Sequence, residues 1–215
     1  MLKSSIMWVI SILLGIREMG KTTVTKRQKR ALHTREKILN AALTLMQKQG
    51  IEQTTISEIC KKAKVSVGSF YVYFKSKGDV LSSVYKSADL YFEETVAHEI
   101  EGLSDKEKIL CFFRHYADYN YNTGLSFTTY LYFNSEHTLF LDKSRYMHVL
   151  LEEILSDIND RQRLITDLSP QELADFFFLL ARGIVADWCL NNGGYKLDEK
   201  MSVYFDMVLK GCLVP

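Results

Sequence analysis

Apolar residues recur along most of this chain at spacings of three and four, the period of helices that pack by one face. Ile38, Ala41, Ala42, Leu45 and Met46 form such a stripe. Thr34 stands at its expected start, and Gly50 at the end, where a helix C-terminus favours a left-handed residue. A short second helix carries Ile56, Ile59, Cys60 and Ala63 on one face, with Thr55 and Glu58 as its capping box. Ala63-Lys64-Val65 makes a turn, Ser66 caps a third helix from about Val67 to Tyr73, and Phe70 and Phe74 face inward. Ser76 caps a fourth, whose stripe runs through Leu81, Val84, Tyr85, Ala88, Tyr91, Phe92, Thr95 and Val96 towards Glu101.

The periodicity continues beyond. Ser104 and Glu107 open a helix bearing Ile109, Phe112, Phe113, Tyr116 and Ala117. Leu125 to Phe133 is a shorter aromatic helix, and Leu139 to Asn159 carries Leu141, Met147, Leu150, Leu151, Ile154 and Leu155. Ser169-Pro170-Gln171-Glu172 combines a cap, a proline in the first turn and a glutamate at the third position, a strong helix start. That helix is predicted to reach Leu190 before Gly193-Gly194, with a last helix from Asp198 to Lys210. Strand-like alternation is scarce and Pro170 and Pro215 are the two prolines, so the predicted class is all-α.

Residues 54–77, TTISEICKKAKVSVGSFYVYFKSK, hold the most specific pattern: two short helices around a tight turn. On the third helix Gly68, Ser69, Tyr71 and Tyr73 are left on the outside. Small residues at its front permit close approach to another surface, and hydroxyls and lysines nearby suit phosphate oxygens. This is a helix-turn-helix whose recognition helix enters the major groove by its N-terminal end. The stretch, with a helix before it and a long helix after, resembles the DNA-binding domain of TetR-type transcriptional regulators over residues 34–80. Thr55, Ile59, Ala63, Val65, Ser66, Gly68, Tyr71, Phe74, Lys75 and Lys77 carry the resemblance. It implies a DNA-binding set in which Val67, Gly68 and Ser69 lie nearest the bases. Thr55, Ser66, Tyr71, Tyr73, Lys75 and Lys77 hold mainly phosphates, and Ser57 stands where many members carry a longer basic side chain. Thr34 and Arg35 are placed to touch the DNA backbone.

Charge sharpens this picture. Residues 19–80 hold thirteen Lys and Arg against four Asp and Glu, and residues 81–215 hold twelve against twenty-one, although the net charge is +1. A basic block joined to an acidic one fits a nucleic-acid-binding head on a solvated regulatory body. The expected layout is an N-terminal extension and basic arm at 1–33, disordered or partly non-native. A helix-turn-helix DNA-binding domain follows at 34–80, then a helical domain for ligand binding and dimerisation at 81–215. The apolar run Ile6 to Leu14 is short of the roughly 20 residues a spanning helix needs and lacks a signal cleavage site. Translation from Met19 is the preferred reading, with Lys26, Arg27, Lys29 and Arg30 as a phosphate-attracting arm. Gly15 to Thr22 also matches G-x-x-x-x-G-K-T, a nucleotide-binding loop, but that motif needs a parallel sheet that nothing downstream suggests.

The body is dense in aromatic side chains, which usually fill cores. The TetR resemblance implies an effector cavity within this bundle. Phe112, Phe113, Tyr116, Asn120, Phe127, Tyr130, His148 and Phe177 are the candidates to line it, for a planar, amphipathic or acyl-chain ligand. The run Phe176 to Leu180 is apolar too far round for one core face and calls for cover on both sides. A second copy would supply it, with Phe176, Leu180, Ile184, Trp188, Tyr204 and Val208 at a dimer interface; a crowded monomer core is the alternative. The resemblance implies the same dimer, built from the last two helices of each chain. Cys60, Cys111, Cys189 and Cys212 form no C-x-x-C pair, and His33, His98, His115, His137 and His148 cluster with none of them along the sequence. Reduced thiols in a cytoplasmic protein are expected, with no metal and no cofactor. No Ser/His/Asp or paired-carboxylate arrangement suggests an enzyme. The expectation is a homodimeric, ligand-responsive repressor, its two heads about 34–36 Å or a multiple apart on a palindromic operator. A pure protein-interaction bundle would leave the basic head unexplained.

Overall fold

The computed structural model describes residues 26–134, 140 and 142–214. Its helices are α1 (Lys26–Gln49), α2 (Ile56–Ala63), α3 (Val67–Tyr73), α4 (Lys77–Tyr91), α5 (Asp105–Thr123), α6 (Leu125–Asn134), α7 (Tyr146–Asp160), α8 (Pro170–Leu190) and α9 (Leu197–Leu209). Among the described residues no strand forms, and Leu164 and Leu213 meet in an isolated antiparallel bridge. The protein is all-α. The phosphate-loop match at 15–22 and the start at Met19 lie outside the described residues. The parallel sheet such a loop requires is absent among the described ones.

The chain divides into two compact units. One comprises the residues up to Ser87 with Asn122–Tyr130, the other Ala88–Tyr121 with Leu131 onward. The head therefore runs past residue 80 and includes part of α6.

In the head, α1 begins at Lys26, eight residues before the expected cap. Lys, Arg, Gln, Ala and Leu are good helix formers, so the basic arm from Lys26 continues the helix instead of trailing as coil. The Thr34 hydroxyl donates to Arg30 O at 2.9 Å inside the helix and does not cap it. Gly50, at φ +85°, ends α1, and Lys64, at φ 56°, turns α2 towards α3. Ile38, Leu39, Ala42, Met46, Ile59, Phe70, Phe74, Val80 and Val84 are at most 2 % exposed and form the head's core. Both short helices are capped as their sequences specify. Thr55 and Glu58 close a reciprocal box, and the Ser66 Oγ accepts from the amide of Ser69 at 3.0 Å.

In the second unit the helix begun as α4 widens into a π turn at Phe92–Val96, then a single α turn at Ala97–Glu99. Tyr91 and Phe92, adjacent in sequence, are both buried there. Sequence periodicity gave no sign of this extra residue in the turn. α7 starts at Tyr146, later than the expected Leu139, because Asp142 Oδ1 accepts from the amide of Ser144 at 3.0 Å and makes a local turn. Ser169 and Glu172 cap α8 reciprocally around Pro170, as predicted. An aromatic core joins α5, α8 and α9: the rings of Phe113 and Phe205 stack 3.9 Å apart, and Phe177 meets both.

Removing the Thr55 hydroxyl should cost the head about 1 kcal/mol. Urea unfolding of Thr55→Ala beside Thr55→Ser, which keeps the acceptor, checks this: the alanine variant alone should lose stability.

Candidate nucleic-acid interface and bundle cavity

The outer surface of the head is built by α2 and α3. Phe70 and Phe74 pull one side of α3 into the core, with Arg35 of α1 lying 5.2 Å over the Phe74 ring. The opposite side is left bare: Val67 is 47 %, Tyr71 54 % and Val72 76 % exposed. Ser66 and Gly68 are exposed beside them, and Ser69 and Tyr73 half-buried. A Cβ at Gly68 would meet Ser66 Oγ at 3.8 Å and nothing closer, so the fold itself does not demand glycine there. Thr55 and Ser57 lie exposed on the neighbouring helix, together with Lys61, Lys62 and Lys64. The Thr55 hydroxyl also donates to Glu58 at 2.8 Å. Lys75 is exposed, and its amide donates to Asp79 Oδ2 at 2.9 Å. Thr34 and Arg35 are half-buried in the body of α1 and not at its N-terminus.

Lys77 departs from its expected role. Its ammonium donates to Ile51 O at 2.9 Å and Glu52 O at 3.3 Å, pinning the start of α4 to the turn after α1. The half-buried amine thus ties two segments of the head together. Val72, the most exposed apolar residue of α3, was absent from the sequence-based set. The alternation of Phe70 and Phe74 inward places it outward, which is the signal that could have found it.

Comparison with known proteins places this geometry. The sequence model for bacterial regulatory proteins of the tetR family matches residues 38–84, the span that holds α2 and α3 and enters α4. The chain carries a TetR-family DNA-binding domain at these residues. Its likeness to the HTH-type transcriptional regulator HbdR of Aromatoleum sp. (strain CIB) is 39 % identity over 77 residues, 36 % of this chain and 34 % of that protein. The fatty acid metabolism regulator protein of Bacillus subtilis (strain 168) is 25 % identical over 81 % of this chain and 93 % of its own length. The crystal structure of the transcriptional regulator FadR from Bacillus subtilis, in complex with stearoyl-CoA, superposes with a TM-score of 0.69 at 23 % identity. It covers 81 % of this chain and 97 % of that one. FadR from Thermus thermophilus, a TetR-family repressor in complex with lauroyl-CoA, gives 0.62 at 24 % identity over 84 % of this chain and 96 % of that one. The chain thus has a TetR-type helix-turn-helix DNA-binding head followed by a helical C-terminal body.

Within that body a cavity is lined by Tyr116, Phe140, Asp142, Arg145, Met147, His148, Phe178 and Arg182. It is small, about 20 Å³, room for little more than one water molecule. Tyr116 and His148 of the expected ligand set line it. Phe112, Phe113 and Phe177 do not: they are fully buried in the aromatic core. Asn120 is buried with its amide donating to Tyr116 O at 2.8 Å. Phe127 and Tyr130 belong to the head unit.

Polar groups reach into the cavity from between apolar walls. The Tyr116 hydroxyl bonds that of Tyr132 at 2.9 Å, and burial pushes its pKa up, so it stays protonated. The Arg145 Nε donates to Asp89 Oδ2 at 3.0 Å, and Arg182 Nη1 to Phe140 O at 3.3 Å. His148 stacks on Phe178, with Nε2 3.3 Å from Asp175 Oδ1 and Nδ1 3.1 Å from Glu152 Oε1. Sequence reasoning missed the arginines, although a lone Arg182 amid the apolar α8 was a visible signal.

At the proposed dimer face, Phe176 and Tyr204 are each 40 % exposed and Leu180 and Val208 half-buried, whereas Ile184 and Trp188 are buried in the chain's own bundle. The Trp188 Nε1 donates to Tyr195 O at 3.1 Å. Leu179, Leu190, Val203 and Met207, all exposed, extend the face instead.

The hydrogen bond from Lys143 at 2.6 Å holds the Asp175 carboxyl below its ordinary range, burial opposing and His148 assisting. A folded-state value below the unfolded one stabilises the protein above the unfolded carboxylate range, and the contribution disappears as pH falls through the lower value. Acid unfolding monitored by circular dichroism should therefore be less steep for Asp175→Asn below about pH 4.

Proposed function

We propose that this TetR-family regulator is a homodimeric repressor that binds a palindromic operator through α3 and is released by an amphipathic effector with an anionic head. The outward face of α3 carries the DNA-binding part of the reading. Val67, Gly68 and Ser69 stand at the front of a capped helix, whose free amides and small side chains permit close approach to a duplex. A glycine that the fold does not require is accounted for by a surface that something must approach. Val72 and Val67 offer methyl groups for thymine methyls in the major groove. Tyr71, Lys75 and the lysines of α2 face the phosphates.

Dimerisation is supported by the apolar residues left bare on α8 and α9. Phe176, Leu179 and Leu190 on one helix, and Val203, Tyr204 and Met207 on the next, make a patch of a kind that marks interaction surfaces. Gly183 lies within it, exposed, with nothing within 4 Å of the place of a Cβ, so a second helix can cross closely.

The cavity supports the effector. Two guanidiniums, a tyrosine hydroxyl and an imidazole on apolar walls suit a ligand with an acidic head and an apolar body, the class to which the acyl-CoA bound by the FadR relatives belongs. The volume of about 20 Å³ means that such a ligand opens the bundle by displacing side chains around Phe178 and Met147. A ligand anion competes with Asp89 for Arg145. Asp89 sits on α4, the helix that begins at Lys77, so this exchange gives the ligand a differential affinity for two helix positions, which release requires.

Operator fragments selected from random DNA and followed by fluorescence anisotropy test the head. Tyr71→Ala and Lys75→Ala should weaken binding at every site, and Lys75→Ala should lower the slope of log K against log salt by about one. Unchanged affinity in both would remove α3 as the reading element. For the dimer, Leu179→Glu combined with Met207→Glu should sediment as a folded monomer and lose the palindromic site; a persistent dimer refutes the patch. Long-chain acyl-CoA added to the wild-type complex should release DNA, and Arg145→Ala should blunt that release.

A further inference from the structure

A second cluster of chemistry-bearing side chains lies away from the cavity, where the chain leaves the π turn. Cys111 and His115 stand one helical turn apart on α5, and Glu99 reaches them from the turn that follows Phe92–Val96. One ligand atom from each of the three lies within 4.8 Å of the others. This corrects the sequence expectation that no histidine gathers with a cysteine. Their i, i+4 spacing put the two on one helix face, and Glu99 arrives through the fold.

We propose that Glu99, Cys111 and His115 bind a thiophilic divalent cation of the zinc class. Bonds of about 2.0–2.3 Å from a tetrahedral ion place its ligand atoms roughly 3.3–3.8 Å apart. The three ligand atoms lie within 4.8 Å of one another, so movements of about 1 Å close the set, and the Glu99 side chain, 55 % exposed, can turn to make its share. Sulfur, nitrogen and a single carboxylate together select zinc or cobalt over magnesium and calcium, which take oxygen.

The outer surroundings fit this role. His115 is 11 % exposed with both ring nitrogens committed: Nε2 is 2.9 Å from Glu99 Oε2, and Nδ1 is 2.5 Å from the Tyr91 hydroxyl. With the ion on Nε2, the Nδ1–H donates to Tyr91, the partner arrangement that fixes ring orientation in histidine metal sites. Arg114 Nη2 lies 3.7 Å from the Cys111 sulfur, and its exposed side chain can turn away. Binding exchanges the thiol proton of Cys111 for the metal bond, so thiolate and carboxylate balance the ion's charge and affinity rises with pH. Three protein ligands leave a tetrahedral ion its fourth position for water. Such an ion joins α5 to the segment that continues from α4, a second input to the regulator independent of the effector cavity.

Cobalt(II) titration of the full chain, stripped of metal by chelator, tests the site. The expected result is one ion per chain with a sulfur-to-cobalt charge-transfer band, displaced by zinc. Cys111→Ala should abolish the band, and Glu99→Gln, on an exposed side chain that does not support the core, should weaken cobalt binding about tenfold or more. Tyr91→Phe should weaken it about tenfold. Absence of the band in the wild-type chain overturns the proposal, as does cobalt affinity unchanged in both Cys111→Ala and Glu99→Gln. Circular dichroism of each variant establishes that it is folded; if Cys111→Ala is not, Glu99→Gln alone decides.

Discussion

A seven-residue helix cannot persist alone in water, since nucleation is unfavourable and too few hydrogen bonds follow it. α3 exists because Phe70 and Phe74 are driven into the head's core and Ser66 satisfies the Ser69 amide in its first turn. What α3 shows to the outside, from Val67 to Val72, is thus a by-product of what it hides. The same burial fixes its rotation, so the glycine, serine and tyrosine of its outer face are placed by residues on its inner one. Lys77 completes the arrangement by closing the turn after α1 onto the start of α4. A lysine employed in this way is part of the scaffold that aims the reading helix.

In the body the corresponding constraint is close packing. Phe112, Phe113, Phe177 and Phe205 are fully buried in a chain of ring contacts, and the cavity in the same body is lined by two arginines and a histidine as well as hydrocarbon. Buried or half-buried charges there are held by partners: Arg145 by Asp89, and Asp175 by Lys143 and His148. Exchanging those partners for ligand groups costs little compared with burying an unpaired charge. In the proposed release, a ligand that offers the same pairing takes the place of these partners. The apolar stripe on α8 and α9 follows the opposite logic, since nothing among the described residues covers it.

The helices, their caps and the class of the head were legible because each depends on neighbours in sequence. Thr55 with Glu58, Ser66, Ser104 with Glu107, and Ser169 with Pro170 and Glu172 act over three residues, and the 3.6-residue period shows which faces turn inward. The basic head and acidic body were legible from charge alone. Errors arose where a local signal was overruled. Thr34 resembles a cap, yet helix-favouring residues on both sides carry α1 through it.

Side-chain partners distant in sequence were settled by the tertiary structure. It turned the Lys77 amine onto the turn after α1, withdrew Phe112, Phe113 and Phe177 from the cavity, and replaced them with Arg145 and Arg182. It also buried Ile184 and Trp188 while exposing Leu179 and Met207, and it carried Glu99 to Cys111 and His115. The sequence by itself determined which segments are helical and which of them forms the DNA-reading motif, because backbone hydrogen bonds and amphipathic periods are local. The surroundings of each aromatic, cysteine and charge were decided by the fold, because packing joins residues that no spacing rule connects.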